Sequence, residues 1–87
     1  MHVILIAEDN HDIVGVAASM AAAKRFLLAN NWVDAYTMLY VEEREHWFSL
    51  IDLYGENWKE AYMGFDTDLL ADMGFYFLKE EVYEEEN

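Results

Sequence analysis

Apolar and polar positions alternate in short blocks along this chain, and block length identifies most of the elements. Val3–Ala7 is a continuous apolar run of strand length, rich in β-branched residues, and Ile13–Ala17 is a second. The polar stretch between them, "EDNHD", holds Asn and Asp, which tolerate the left-handed backbone of tight turns. Two apolar runs joined in this way predict a β-hairpin. Ser19 then stands as a cap for a helix over Met20–Ala29, with Met20, Ala23, Phe26, Leu27 and Asn30 on one side and Asn30-Asn31 as its stop. Thr37–Val41 predicts a third strand, and Glu42–His46 a charged connection.

Three short helices follow. Ser49 precedes Asp52 by three residues and Asn57 precedes Glu60 by three, both capping-box spacings. A third start lies at Asp66 or Thr67. Gly55, Gly64 and Gly74 are read as the stops, each able to take a left-handed conformation without a Cβ clash. "FYFLKEEVY", Phe75–Tyr83, closes the pattern as a final strand. The order β-β-α-β-α-α-α-β predicts an α+β fold, a small, mostly antiparallel sheet of three or four strands with short helices packed on one side. Residues 1–83 are read as a single domain and residues 84–87 as an acidic tail.

Composition sharpens this picture. Eighty-seven residues suffice for one modest core, and 55% hydrophobic content makes disorder throughout untenable. Aromatic residues account for 16% of the chain, and Trp32, Trp47, Phe48, Trp58, Phe65, Phe75 and Phe77 are assigned mainly to the core. The tyrosines Tyr36, Tyr40, Tyr54, Tyr62, Tyr76 and Tyr83 can bury a ring while showing a hydroxyl to solvent. There is no cysteine, which excludes disulfides and thiolate metal sites. The N-terminus carries no basic segment and its apolar run is too short for a secretory signal; no run reaches membrane-spanning length. A cytoplasmic protein with no membrane association is expected.

Charge changes the picture most. The net value is −13, divided unequally. Met1–Val41 holds four acids and two bases, whereas Glu42–Asn87 holds fourteen acids and three bases. Such a balance disfavours direct contact with nucleic acid or anionic membranes and favours basic protein surfaces.

Motifs for chemistry are sparse. Ile4–Asn10 resembles the opening of two-component receiver domains, in which an acidic pair closes the first strand and holds magnesium. That resemblance implies a helix immediately after Glu8 and Asp9. "IVGVAAS" follows too closely to leave room for one, so both acids are placed at a hairpin end. Glu43 and His46 have the Glu-x-x-His spacing that lets one helical turn offer two metal ligands, but a second such motif is missing. "DTDLLAD" has alternate aspartates like a calcium loop, with Leu70 and Ala71 where a ligand and a glycine belong; helix capping accounts for it better. Ser19 and Ser49 are caps rather than nucleophiles, and the isolated glycines form no phosphate loop. No catalytic residue, metal or cofactor is assigned.

The expectation is therefore a non-enzymatic binding protein that occupies a basic, nucleic-acid-binding surface of a partner such as a nuclease. The expected contact surface comprises Glu42, Glu43, Glu45, Asp52, Glu56, Glu60, Asp66, Asp68, Asp72, Glu80 and Glu81, extended by Glu84–Glu86. In size, charge and lack of catalytic motifs the chain is similar to DNA-mimic, anti-restriction and anti-CRISPR proteins of phages and mobile elements. Two readings compete: a metal-binding protein or enzyme using Glu43 and His46, and an acidic domain whose charge serves only solubility. Oligomeric state is left open.

Overall fold

A computed structural model describes residues 2–9 and 12–82. The acidic tail assigned to residues 84–87, together with Tyr83, Asn10 and His11, lies outside the described residues. Strands β1 (His2–Glu8) and β2 (Ile13–Ala17) form the expected antiparallel hairpin, closed by a hydrogen bond from Glu8 N–H to the Asp12 carbonyl at 3.1 Å. Helix α1 spans Met20–Ala29 and β3 spans Met38–Val41. A 3-10 turn at Glu42–Arg44 leads into β4 (His46–Ser49), then come α2 (Leu50–Tyr54), α3 (Trp58–Met63), α4 (Thr67–Asp72) and β5 (Phe75–Glu81).

The α+β class and the order of elements are as the pattern predicts, with one strand added. β4 occupies part of the stretch read as a charged connection, and it pairs with β3 alone in a two-stranded ribbon. The main sheet has three antiparallel strands in the order β2-β1-β5. Register places Ile4 and Ile6 of β1 beside Ala17 and Gly15 on one side and Lys79 and Phe77 on the other. A bulge between Ile6 and Ala7 leaves Val14 without an opposite residue, and Val14 packs against the core. Gly15 lies under the Phe26 ring, where an added Cβ would fall 2.4 Å from Cε1.

The core gathers on the helical side of this sheet: Ile6 and Phe75 from the strands, Ala23 and Leu27 from α1, with Leu39, Leu50, Tyr62, Phe65 and Leu70 from the second half. Three caps hold as the spacing predicts. Ser19 Oγ accepts from Ala22 N–H at 3.1 Å, Ser49 Oγ from Asp52 N–H at 3.2 Å, and an Asp66 carboxylate oxygen from Leu69 N–H at 2.9 Å. Asn57 makes no such bond, because a 3-10 turn at Gly55–Asn57 runs directly into α3.

Gly64 also departs from expectation. Its φ of −90° is right-handed, unlike the +62° of Gly55 and +95° of Gly74. Beside it, Lys24 is buried in α1 and reaches across to donate from Nζ to the Met63 carbonyl at 2.8 Å and the Phe65 carbonyl at 2.6 Å. Carbonyls at the end of a helix need donors, and a cation is favoured there. The Ala61 and Tyr62 carbonyls are served locally, by Gly64 N–H and Phe65 N–H at 3.0 Å each, and the Lys24 ammonium takes the Met63 carbonyl that follows them. The contact is reciprocated: Tyr62, fully buried on α3, donates its hydroxyl to the Lys24 carbonyl at 2.9 Å. Among the described residues no helix is long and apolar enough to cross a membrane.

Candidate functional site

All eleven expected contact acids within the described region are exposed. None forms an ion pair with a basic side chain among the described residues. Arg44 lies over the Phe48 ring at 5.5 Å, Lys59 over Trp58 at 5.6 Å, and Lys24 is committed to carbonyls. The acids stand on short, ordered elements. Glu42 and Glu43 belong to the 3-10 turn, which closes with Glu45 N–H donating to the Glu42 carbonyl at 3.1 Å. Asp52 and Glu60 occupy first turns of α2 and α3, Glu56 sits in the second 3-10 turn, and Asp66 and Asp68 open α4.

The fold brings three of them to one place. Glu42, Glu43 and Asp72 line an open cleft of about 360 Å³ between β3, α2 and α4. Leu39, Tyr40 and Val41 form one wall, and Leu53, Tyr54 and Leu69 the rest. Successive strand residues point to opposite faces, so three consecutive lining positions mean that the cleft runs along the edge of β3 not paired with β4. Asp72 stands in the last turn of α4, where the helix terminus disfavours an anion, and four residues after Asp68, another unfavourable pairing. Each effect costs a few tenths of a kcal/mol up to ~1 kcal/mol. Folding stability does not explain an acid at that position.

Beside the cleft is an aromatic platform. Tyr40 and Trp47 are cross-strand partners with ring centroids 5.3 Å apart, and Trp47 remains 50% exposed. Assignment of Trp47 to the core is therefore corrected: it lies on the outer face of the β3–β4 ribbon, not the face that buries Leu39. Trp32 is likewise exposed, while Tyr62 is the most thoroughly buried tyrosine, ringed edge-on by Phe65 at 6.0 Å. Burial pushes the Tyr62 hydroxyl well above its ordinary pKa.

Other expected groupings do not form. Glu80 and Glu81 lie opposite Val3 and His2, five and six residues along β5 from Phe75 and so ~17–20 Å from the α4 end of the strand. They do not join the cleft acids. Glu43 and His46 do not share a helical turn, since Glu45 takes a left-handed conformation (φ 49°) between them and His46 enters β4 with its ring edge against Phe48. Among the described residues no three His, Asp or Glu side chains gather as a metal site. Asp66 caps α4, as the helix reading of "DTDLLAD" requires. Glu8 and Asp9 close the hairpin, and Asp9 packs near Gly74. A second, smaller cleft of about 230 Å³ is lined by Asp34 and Lys59 among others and carries no charge bias.

The apolar floor of the main cleft and the Tyr40–Trp47 platform escape a reading by charge alone. The signal available was the cross-strand register, which becomes visible only once β4 is recognised. Comparison with known protein families, characterised proteins and solved structures returns no match.

Proposed function

We propose that this chain is a non-enzymatic acidic binding protein that occupies a basic surface of a partner, and that the partner handles nucleic acid, as a nuclease does. Anti-restriction and anti-CRISPR proteins that mimic DNA are the functional analogues. The supporting observation is the convergence of Glu42, Glu43 and Asp72 on an apolar-walled cleft, with Glu45, Asp52, Glu56, Glu60 and Asp68 exposed and without ion pairs among the described residues. Such a cleft suits arginine. The aliphatic stem lies on Leu53 and Leu69, the guanidinium meets carboxylates, and a neighbouring guanidinium can stack on Trp47.

The test uses a fluorescent oligo-arginine peptide and, in parallel, a basic DNA-binding domain preloaded with duplex DNA. Binding and displacement should both weaken as salt rises. Exposed ion pairs contribute ~0.2–1 kcal/mol each, so Glu42→Gln/Glu43→Gln/Asp72→Asn should lose roughly 3-fold to 150-fold in affinity. Equal affinity of the triple variant would remove the cleft from the proposal. Failure of the native chain to bind either probe at low salt would remove the proposal itself.

A further inference from the structure

The helices cover one face of the three-stranded sheet and leave the other open. On that open face the register aligns two apolar rows across all three strands: Val16, Leu5 and Leu78 in one, Ile13, Ala7 and Tyr76 in the other. Ile13, Val16 and Leu78 remain 50%, 56% and 50% exposed. A solvated face on an antiparallel sheet normally alternates apolar-in with polar-out. Here the outward positions are apolar as well, apart from Glu80 at one end.

We propose that this face is a seam between two copies of the chain, packed sheet on sheet. Three features select a second copy. The face is almost uncharged, so it has nothing to steer a basic partner. It is self-complementary, since rows of Val, Leu and Ile interdigitate with their like as the inner faces of a β-sandwich do. Finally, of the eleven contact acids only Glu80 projects from this face, whereas nine stand on the turns and helices of the second half. Most of the negative charge, which opposes dimerisation, is therefore carried away from this face.

Area sets the strength. Three strands ~4.8 Å apart and ~23 Å long outline roughly 330 Å² per copy. Two copies then cover roughly 650 Å² in outline, below the ~1,000 Å² that a stable specific interface clears. The dimer is accordingly weak, with a dissociation constant in the micromolar range, and it displays two acidic surfaces facing outwards.

Sedimentation of the full chain from ~1 μM to ~500 μM brackets that range. The mass should rise from one copy to two and stop, and added salt should tighten the dimer by screening the remaining repulsion. Leu78→Glu and Val16→Glu, both at solvent-accessible positions, should each raise the dissociation constant at least ~10-fold with the circular dichroism spectrum unchanged. A single copy at every concentration overturns the proposal and leaves the face to a different protein. A mass climbing beyond two copies overturns it in favour of edge-to-edge strand pairing. So does a dimer that neither substitution weakens. If one variant loses its fold, the other and the wild-type dilution series still decide.

Discussion

Replacing Lys24 by methionine removes the ammonium and keeps most of the apolar stem. Methionine is close in length, so packing changes should cost under ~1.5 kcal/mol. The loss is electrostatic. Nζ donates at 2.8 Å and 2.6 Å to the carbonyls of Met63 and Phe65, and the second of these bonds is buried. Hydrogen bonds to a charged group contribute ~1.5–3 kcal/mol each, so two would give ~3–6 kcal/mol. Two effects reduce that figure: the charge no longer has to be desolvated, and the Met63 carbonyl, only part-buried, can find water. The Phe65 carbonyl cannot, and an unsatisfied buried acceptor costs ~1–3 kcal/mol. A net destabilisation of ~2–3 kcal/mol is expected, which for a domain of this size lowers Tm by ~10–20 °C. Thermal and urea melts followed by circular dichroism measure it, with exposed Arg25→Met as a control expected to stay within ~0.5 kcal/mol of wild type. A Lys24→Met protein as stable as that control would refute the claim that this ammonium holds the end of α3.

Tyr62 predicts an alkaline weakness. Its folded-state pKa is raised by burial, so above pH ~10 the unfolded chain releases a proton that the native state keeps, and stability from this group falls by ~1.4 kcal/mol per pH unit. Tyr62→Phe should lose ~1 kcal/mol at neutral pH and show a shallower alkaline decline; parallel declines would contradict the assignment. Two glycines should respond oppositely to alanine. Gly64→Ala, right-handed with its new Cβ in ordinary contact 3.5 Å from the Ala61 carbonyl oxygen, should gain ~0.4–1 kcal/mol. Gly74→Ala, at φ +95° with Cβ 2.7 Å from an Asp9 carboxylate oxygen, should lose at least ~1–2 kcal/mol. Equal melting temperatures for the two variants would show that backbone handedness is not what separates them.

The parts of the fold visible in the sequence are those fixed by contacts within a few residues. Ser19, Ser49 and Asp66 each bond a backbone N–H three residues on, so spacing alone finds them. Apolar runs find β1, β2 and β5 for the same reason. Lys24 was legible only as a helix former, because the carbonyls it serves are 39 and 41 residues away. Gly64 is a different case: its own N–H and that of Phe65 close short bonds to the Ala61 and Tyr62 carbonyls with a right-handed backbone, which spacing does not distinguish from a left-handed stop. β4 was hidden by length and neighbours, since "HWFS" follows a charged run and ends in a residue whose capping role is the stronger signal. The exposed acids could be named individually from the sequence. Their grouping could not, because Asp72 reaches Glu42 and Glu43 only through the packing of α4 near β3.

Salt separates the two surfaces proposed for this molecule, because it acts on them with opposite sign. Contact between carboxylates and a basic partner loses strength as ions screen the attraction, whereas contact between two copies gains as ions screen their mutual repulsion. Partner binding that weakens with salt while self-association strengthens is therefore the joint signature of an acidic outer surface with an apolar back. The acids chosen for such a test must exclude Asp66. Its carboxylate is bonded to Leu69 N–H, and losing that cap would unwind α4 by ~1 kcal/mol and displace Asp72 with it. Neutralising Glu42 and Glu43 carries no such cost, since neither side chain makes a hydrogen bond within the described residues. A fall in partner affinity on changing those two, with self-association untouched, would place recognition in the cleft and dimerisation on the sheet. Loss of both together would mean that one surface serves both contacts, and the separation by the sheet on which the dimer rests would be false.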